Sequence, residues 1–177
     1  MKLRRTAAVP VMLTATVLAA TVLAVPTGAG AASHPVPWHR YRTAPWHDAP
    51  GKVCTFGVSA KPVKDGEQTR ILARYPNGKP RVQEFRGPLY VRYTNTHTGK
   101  TLTRNLSGYG WFFYGPSGGV RFFVPGHVGL TVDVGNKGWP AGEWVFAGQA
   151  WVRITSAGDT HIHLLHATAE NLCRTLS

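Results

Sequence analysis

The sequence is short of two things that many extracellular enzymes depend on. It has only 8 Asp and Glu and only 2 Cys among 177 residues. Two cysteines cannot build a disulfide-rich miniprotein or a four-cysteine zinc centre. Eight acids are few for paired-carboxylate glycoside chemistry, and no closely spaced pair stands out. A Gly-x-Ser-x-Gly nucleophile elbow is missing, since Ser107 stands in Asn105-Leu106-Ser107-Gly108. No motif for sequence-specific nucleic-acid readout occurs either. Against these gaps stand 20 Lys and Arg, a formal charge of +12, 20 Gly and 13 Pro. Apolar residues at 43% and aromatics at 11% exclude a mostly disordered chain, and the length fits one domain with a core.

Met1 to Arg5 is basic, Ala7 to Val25 is apolar and uncharged, and Pro26-Thr27-Gly28 breaks that run before Ala29-Gly30-Ala31. This order predicts a secretory signal peptide over residues 1–31, cleaved after Ala31. A secreted, extracellular protein without a transmembrane anchor is expected, because no second apolar run reaches membrane length. Loss of Lys2, Arg4 and Arg5 leaves 17 basic against 8 acidic residues, a net +9 over 146 residues.

Residues 32–52 carry four prolines and a repeated unit, Pro37-Trp38-His39 and Pro45-Trp46-His47. Proline at that density predicts an extended, polyproline-like arm with no part in helix or sheet, its two indoles resting on the domain or on a partner. From residue 53 onward the period becomes two. Strands are expected near 53–60, 68–75, 80–86, 88–95, 100–106, 110–115, 119–124, 128–134, 143–155 and 160–166. Turn-forming residues fall between them, as in Pro76-Asn77-Gly78 and Pro116-Ser117-Gly118-Gly119. Only Ala169 to Leu176 reads as a short helix. The expected fold is therefore all-β, a single antiparallel barrel or sandwich of about 8–10 strands over residues 53–177.

Cys54 and Cys173 bracket that domain, and in a secreted chain they are expected to form one disulfide tying its ends together. Closing a 118-residue loop is worth about 4–5 kcal/mol on the chain-entropy account. The order of landmarks resembles a group of small secreted actinobacterial proteins of unassigned function. It runs from Val53-Cys54-Thr55-Phe56, through Pro76-Asn77-Gly78 and Thr94-Asn95-Thr96-His97-Thr98-Gly99-Lys100, to a closing Asn171-Leu172-Cys173. The resemblance implies a secreted β domain with the cysteines bridged, and it supplies no catalytic residues.

Three surfaces are candidates for function. His161-Ile162-His163-Leu164-Leu165-His166 places His161 and His163 on one strand face, where Zn or Cu can bind with His166, His127, Asp133 or Glu143 as a third ligand. A cleaved Ala32-Ser33-His34 terminus offers a separate square-planar copper or nickel site through its amine, amides and His34. The second surface is basic, with Arg70, Arg74, Arg81, Arg92 and Arg104 in a stretch holding Glu84 as its one acid. The third is aromatic. Trp38, Trp46 and Trp139 stand beside prolines and are the expected exposed indoles, whereas Trp111, Trp144 and Trp151 sit inside strands and read as core.

The reading these features favour is a non-enzymatic binding module for anionic cell-envelope polymers. A metal-dependent extracellular enzyme built on His161 and His163 is the first alternative. A carrier holding an apolar ligand around Phe146, Gly148 and Ala150 is the second.

Overall fold

The computed structural model describes residues 35–177. The expected signal peptide and the Ala32-Ser33-His34 terminus lie outside the described residues. Alternating apolar residues build eleven strands and one helical turn. In chain order these are β1 (His39–Arg40), β2 (Trp46–Asp48), β3 (Val58–Asp65), β4 (Gln68–Arg74), β5 (Pro80–Gly87) and β6 (Leu89–Asn95). They continue as β7 (Thr101–Asn105), β8 (Gly108–Tyr114), β9 (Val120–Val132), β10 (Gly142–Ile154), β11 (Thr160–Asn171) and α1 (Leu172–Thr175).

A seven-stranded sheet runs β1-β4-β5-β8-β9-β10-β11, and a four-stranded sheet runs β2-β3-β6-β7. Both are antiparallel and neither closes, so the fold is a sandwich rather than a barrel. The chain passes between the sheets at short corners. Between β5 and β6 only Pro88 intervenes, and Gly87 adopts φ 127° there, where a Cβ would stand 2.5 Å from the Gly66 carbonyl oxygen. No other residue fits that corner.

The core has two parts. Val58, Ala60, Val91 and Tyr93 of the small sheet pack on Val145, Leu172 and Leu176. Phe122, Val124 and Val152 form the second cluster within the large sheet, with Phe112 and Ile162 against them. The disulfide between Cys54 and Cys173 is present, with the Cα atoms 5.4 Å apart, and both cysteines belong to the first cluster.

Four local expectations change. The Pro-rich arm does join the sheets: β1 pairs with β4 at the edge of the large sheet, and β2 pairs with β3 at the edge of the small one. Edge positions tolerate the flanking prolines, because one side of an edge strand needs no ladder donors. Residues 53–56 are bends around the disulfide and Gly57 is irregular, so β3 starts at Val58 and Cys54 precedes it. The two strands expected at 119–124 and 128–134 are one, β9, running through Pro125 and Gly126. Its ladder with β8 begins at Tyr114↔Val120 and ends at Trp111↔Phe123, two residues before the proline whose N–H is missing. The C-terminal helix shrinks to four residues, because β11 stays paired with β10 as far as Asn171↔Trp144. The Asn171 side chain then accepts from the Cys173 N–H and caps the turn.

Candidate functional site: an open aromatic and cationic face

Directly paired residues on neighbouring strands present their side chains to the same side of a sheet. In the large sheet this register builds one continuous row across six strands: Arg70, Glu84, Trp111, Phe123, Trp151 and His163. A second row beside it holds Val82, Phe113, Arg121, Arg153 and His161. The intervening residues Phe122 and Val152 turn to the opposite face and are buried. The row residues Trp111, Phe113, Phe123 and Trp151 are half-buried, while Arg121, Arg153, His161 and His163 are exposed.

The rings touch one another as a platform. Trp111 stacks on Phe123 with centroids 6.1 Å apart, Phe123 lies 5.1 Å from Trp151, and Phe113 lies 6.2 Å from Trp151. Tyr109 meets Trp111 edge to face at 4.4 Å.

At the β4–β5 end of the platform the charges are internally matched. The Arg70 Nε donates to Glu84 at 2.5 Å, and the Tyr109 hydroxyl donates to the other Glu84 oxygen. Burial raises the Glu84 pKa, but the Tyr109 and Arg70 hydrogen bonds outweigh it and leave the carboxyl below its ordinary value. Trp38 of the arm stacks on Arg86 at 4.0 Å and on Arg70 at 4.5 Å. The far end differs. There Arg121, Trp151, Arg153, His161 and His163 surround a depression of about 320 Å³.

The sequence-predicted groups are distributed as follows. His161 and His163 do share a face. A register slip between Gln149 and Ala150 leaves Leu165 unpaired, so His166, opposite Gln149, returns to that face as well. Gly148 makes the slip possible, since a Cβ there would stand 2.0 Å from the His166 carbonyl oxygen. The three imidazoles are spread along the strand rather than converging. Among the described residues, no three His, Cys, Asp or Glu side chains are grouped as metal ligands. Of the expected third ligands, Asp133 lies near Lys52 and Glu143 is buried beside Thr131.

The basic stretch is divided between the sheets. Arg70, Arg74 and Arg81 lie on β4 and β5 of the large sheet, whereas Arg92 and Arg104 lie on β6 and β7 of the small one. Arg104 is already bound to Glu170, and Arg74 donates to the Gly78 carbonyl. The three indoles expected to be exposed are docked within the molecule. Trp38 lies on two arginines, Trp46 on Tyr93, and Trp139 on Trp144 and Phe146. Phe146 and Ala150 are fully packed, so the interior of β10 is core. Trp111 and Trp151 are half-buried like the three docked indoles, but they stand in the row that leads to exposed Arg121 and Arg153. Strand parity was the signal that could have found these two indoles, since Trp111 alternates with Phe112 and Trp151 with Val152 on the opposite side.

A second concentration of polar groups lies between the sheets. Glu143, Tyr93 and Asp48 are buried there, with Trp46 half-buried beside them. Thr131 donates to one Glu143 oxygen at 2.8 Å, and Lys52 donates to Asp48 at 2.8 Å. Among the described residues, Trp46 Nε1, Asp48 Oδ2, Tyr93 Oη and Glu143 Oε1 lack a well-formed hydrogen bond, although Trp46 and Tyr93 both lie close enough to Glu143 to act on its carboxyl. Burial pushes the Glu143 carboxyl up to about 7; the Thr131 hydrogen bond opposes the shift and the Asp48 charge adds to it. Burial and the neighbouring Glu143 also raise the Tyr93 hydroxyl.

No family model, curated protein or solved structure matches this chain.

Proposed function

We propose that this chain is a secreted, non-enzymatic binding module for anionic polymers at the cell envelope, with the open face of the large sheet as its contact surface. One observation carries the reading: half-buried rings of Trp111, Phe123, Trp151 and Phe113 form a contiguous aromatic patch edged by exposed Arg121 and Arg153. Rings of this kind stack on sugar or polyol surfaces, and guanidinium groups hold phosphate or carboxylate. The net +9 expected after export adds a long-range attraction that salt screens.

Retention on purified cell-wall polymer tests the proposal. The protein is expected to bind at low salt and to release steeply as salt rises. Trp111→Ala combined with Trp151→Ala should weaken retention about tenfold, as loss of two stacking rings predicts. Retention that ignores both salt and the double substitution would count against the open face as the contact surface.

A further inference from the structure

Within the open face, we infer that Arg121, Arg153, His161 and His163 form a phosphate site that receives one phosphodiester group of a wall polymer while Trp151 receives the adjoining sugar or polyol. This inference rests on the envelope reading above and names the chemistry of its ligand.

Arg121 stands directly opposite Arg153, and Arg153 stands directly opposite His161. Like charges placed opposite one another in an antiparallel ladder destabilise it. Three cations elsewhere are neutralised, Lys52 by Asp48, Arg70 by Glu84 and Arg104 by Glu170, whereas Lys61 opposite Arg92 on the small sheet is a second like-charge pair and so the matched control for the first. Among the described residues, Arg121 and Arg153 have neither a carboxylate partner nor a side-chain hydrogen bond. Among the described residues the pair makes one aromatic contact, Arg121 over the Trp151 ring at 5.8 Å. Two guanidinium forks with free donors, side by side on the paired strands β9 and β10, suit a tetrahedral dianion or a phosphodiester better than a single carboxylate.

The surroundings favour a thin polymer over a broad one. The depression is about 320 Å³ and is walled by His161 and His163 on one side and Arg121 on the other, with Trp151 between them. That volume accommodates one phosphate with one small ring or polyol unit. Phe113, opposite Arg121 and 6.2 Å from Trp151, continues the apolar surface toward the platform. A single-chain polymer of alternating phosphate and polyol can therefore lie along the face, with successive units over Trp151, Phe123 and Trp111.

The test is calorimetric titration of the secreted protein with poly(glycerol phosphate), with polyglutamate of matched charge and with duplex DNA. The variants are Arg121→Gln/Arg153→Gln and, on the small sheet, Lys61→Gln/Arg92→Gln. The first variant is expected to lose about tenfold or more in affinity for poly(glycerol phosphate), since two charge-assisted contacts vanish. It should also melt no lower than the parent, because a repulsion has been relieved. The small-sheet variant should lose less than about twofold, and polyglutamate should bind several-fold more weakly. Equal losses in the two variants, or equal affinity for polyglutamate, would overturn the phosphate site while leaving the envelope module standing. Tighter binding to duplex DNA than to poly(glycerol phosphate) would overturn the choice of ligand. If no polymer binds, glycerol 1-phosphate separates the two proposals. Shifts of the His161 and His163 NMR resonances in the parent, absent from Arg121→Gln/Arg153→Gln, would keep the site and discard the envelope reading. No shifts in either would discard both.

Discussion

Along β10 the same face of one strand meets two fates. At its start Glu143 and Val145 are 0% and 6% exposed, sealed under the small sheet. Six to eight residues later Trp151 is half-buried and Arg153 is exposed, with no sheet above them. The opposite face does not change in this way, since Phe146 and Val152 are both fully buried. Four strands cannot cover seven, so one face of the large sheet is core at one end and surface at the other. The difference is chemical as well as geometric. Under the cover the Glu143 carboxyl, beside Asp48, is driven toward its neutral form, and in the open the sheet keeps two arginines without a carboxylate partner among the described residues.

The contrast breaks most sharply under one substitution made twice. Val145→Asp places a charge between the sheets with no cation waiting for it, and should cost more than about 4 kcal/mol, enough to abolish cooperative unfolding. Trp151→Asp makes the same charge on the same face in the open. It should cost about 1 kcal/mol, mainly lost ring contacts with Phe123 and Phe113, while weakening polymer binding. Urea unfolding of both variants reads the difference. Similar stability losses would mean that the face is uniformly covered.

Glu143 sharpens the comparison on the covered side. Its carboxyl rises from an ordinary value of 4.5 to about 7 on folding, so the folded state prefers it protonated. That contribution is fully present below about pH 4.5 and is lost as pH rises through about 7, a change of about 3 kcal/mol across the window. Burial also raises the Glu67 carboxyl, which adds a slope of the same sign. Glu143→Gln keeps the shape and removes the ionisation. Denaturation midpoints at about pH 5 and about pH 8 should differ strongly in the parent, and in this variant only by what Glu67 and the remaining groups contribute. An unchanged slope in Glu143→Gln would assign the pH dependence elsewhere.

Much of this arrangement is written in period-two patterns. The strands from β4 to β8, the turns between them and the disulfide all follow from residues adjacent in sequence or from the expected compartment. What the pattern leaves open is which face of a strand is covered, because coverage is decided by the partner sheet. Trp111-Phe112-Phe113 reads as apolar on both sides, and only pairing with Phe122 and Phe123 tells core from platform. The arm misleads for a related reason: Pro37 and Pro45 signal extended chain, but a short segment beyond each reaches a free sheet edge and pairs with it. Glu143 carries no sequence signal at all, since its burial depends on Tyr93 and Trp46, which arrive from two other strands of the small sheet.

The smallest expected effect separates paired cations from free ones. Arg104 on β7 grips Glu170 on β11 with two hydrogen bonds of 2.6 and 2.7 Å, joining the small sheet to the large one. Both groups are about one-third exposed, so the pair is worth about 0.5–1 kcal/mol after solvent screening. The Arg104 hydrogen bond holds the Glu170 carboxyl below its ordinary value, and the Thr175 hydroxyl helps. The sign is opposite to that of Glu143: this stability is present above about pH 4.5 and fades as pH falls through the lowered value. Arg104→Gln should therefore show a small deficit at neutral pH that closes in acid, where the deficit is measured as a difference in urea midpoint. Its affinity for poly(glycerol phosphate) should stay within about twofold of the parent, because the Glu170 carboxylate already neutralises this guanidinium and occupies its bidentate edge. A loss as large as that of Arg121→Gln/Arg153→Gln would show that net charge, rather than the open face, governs binding.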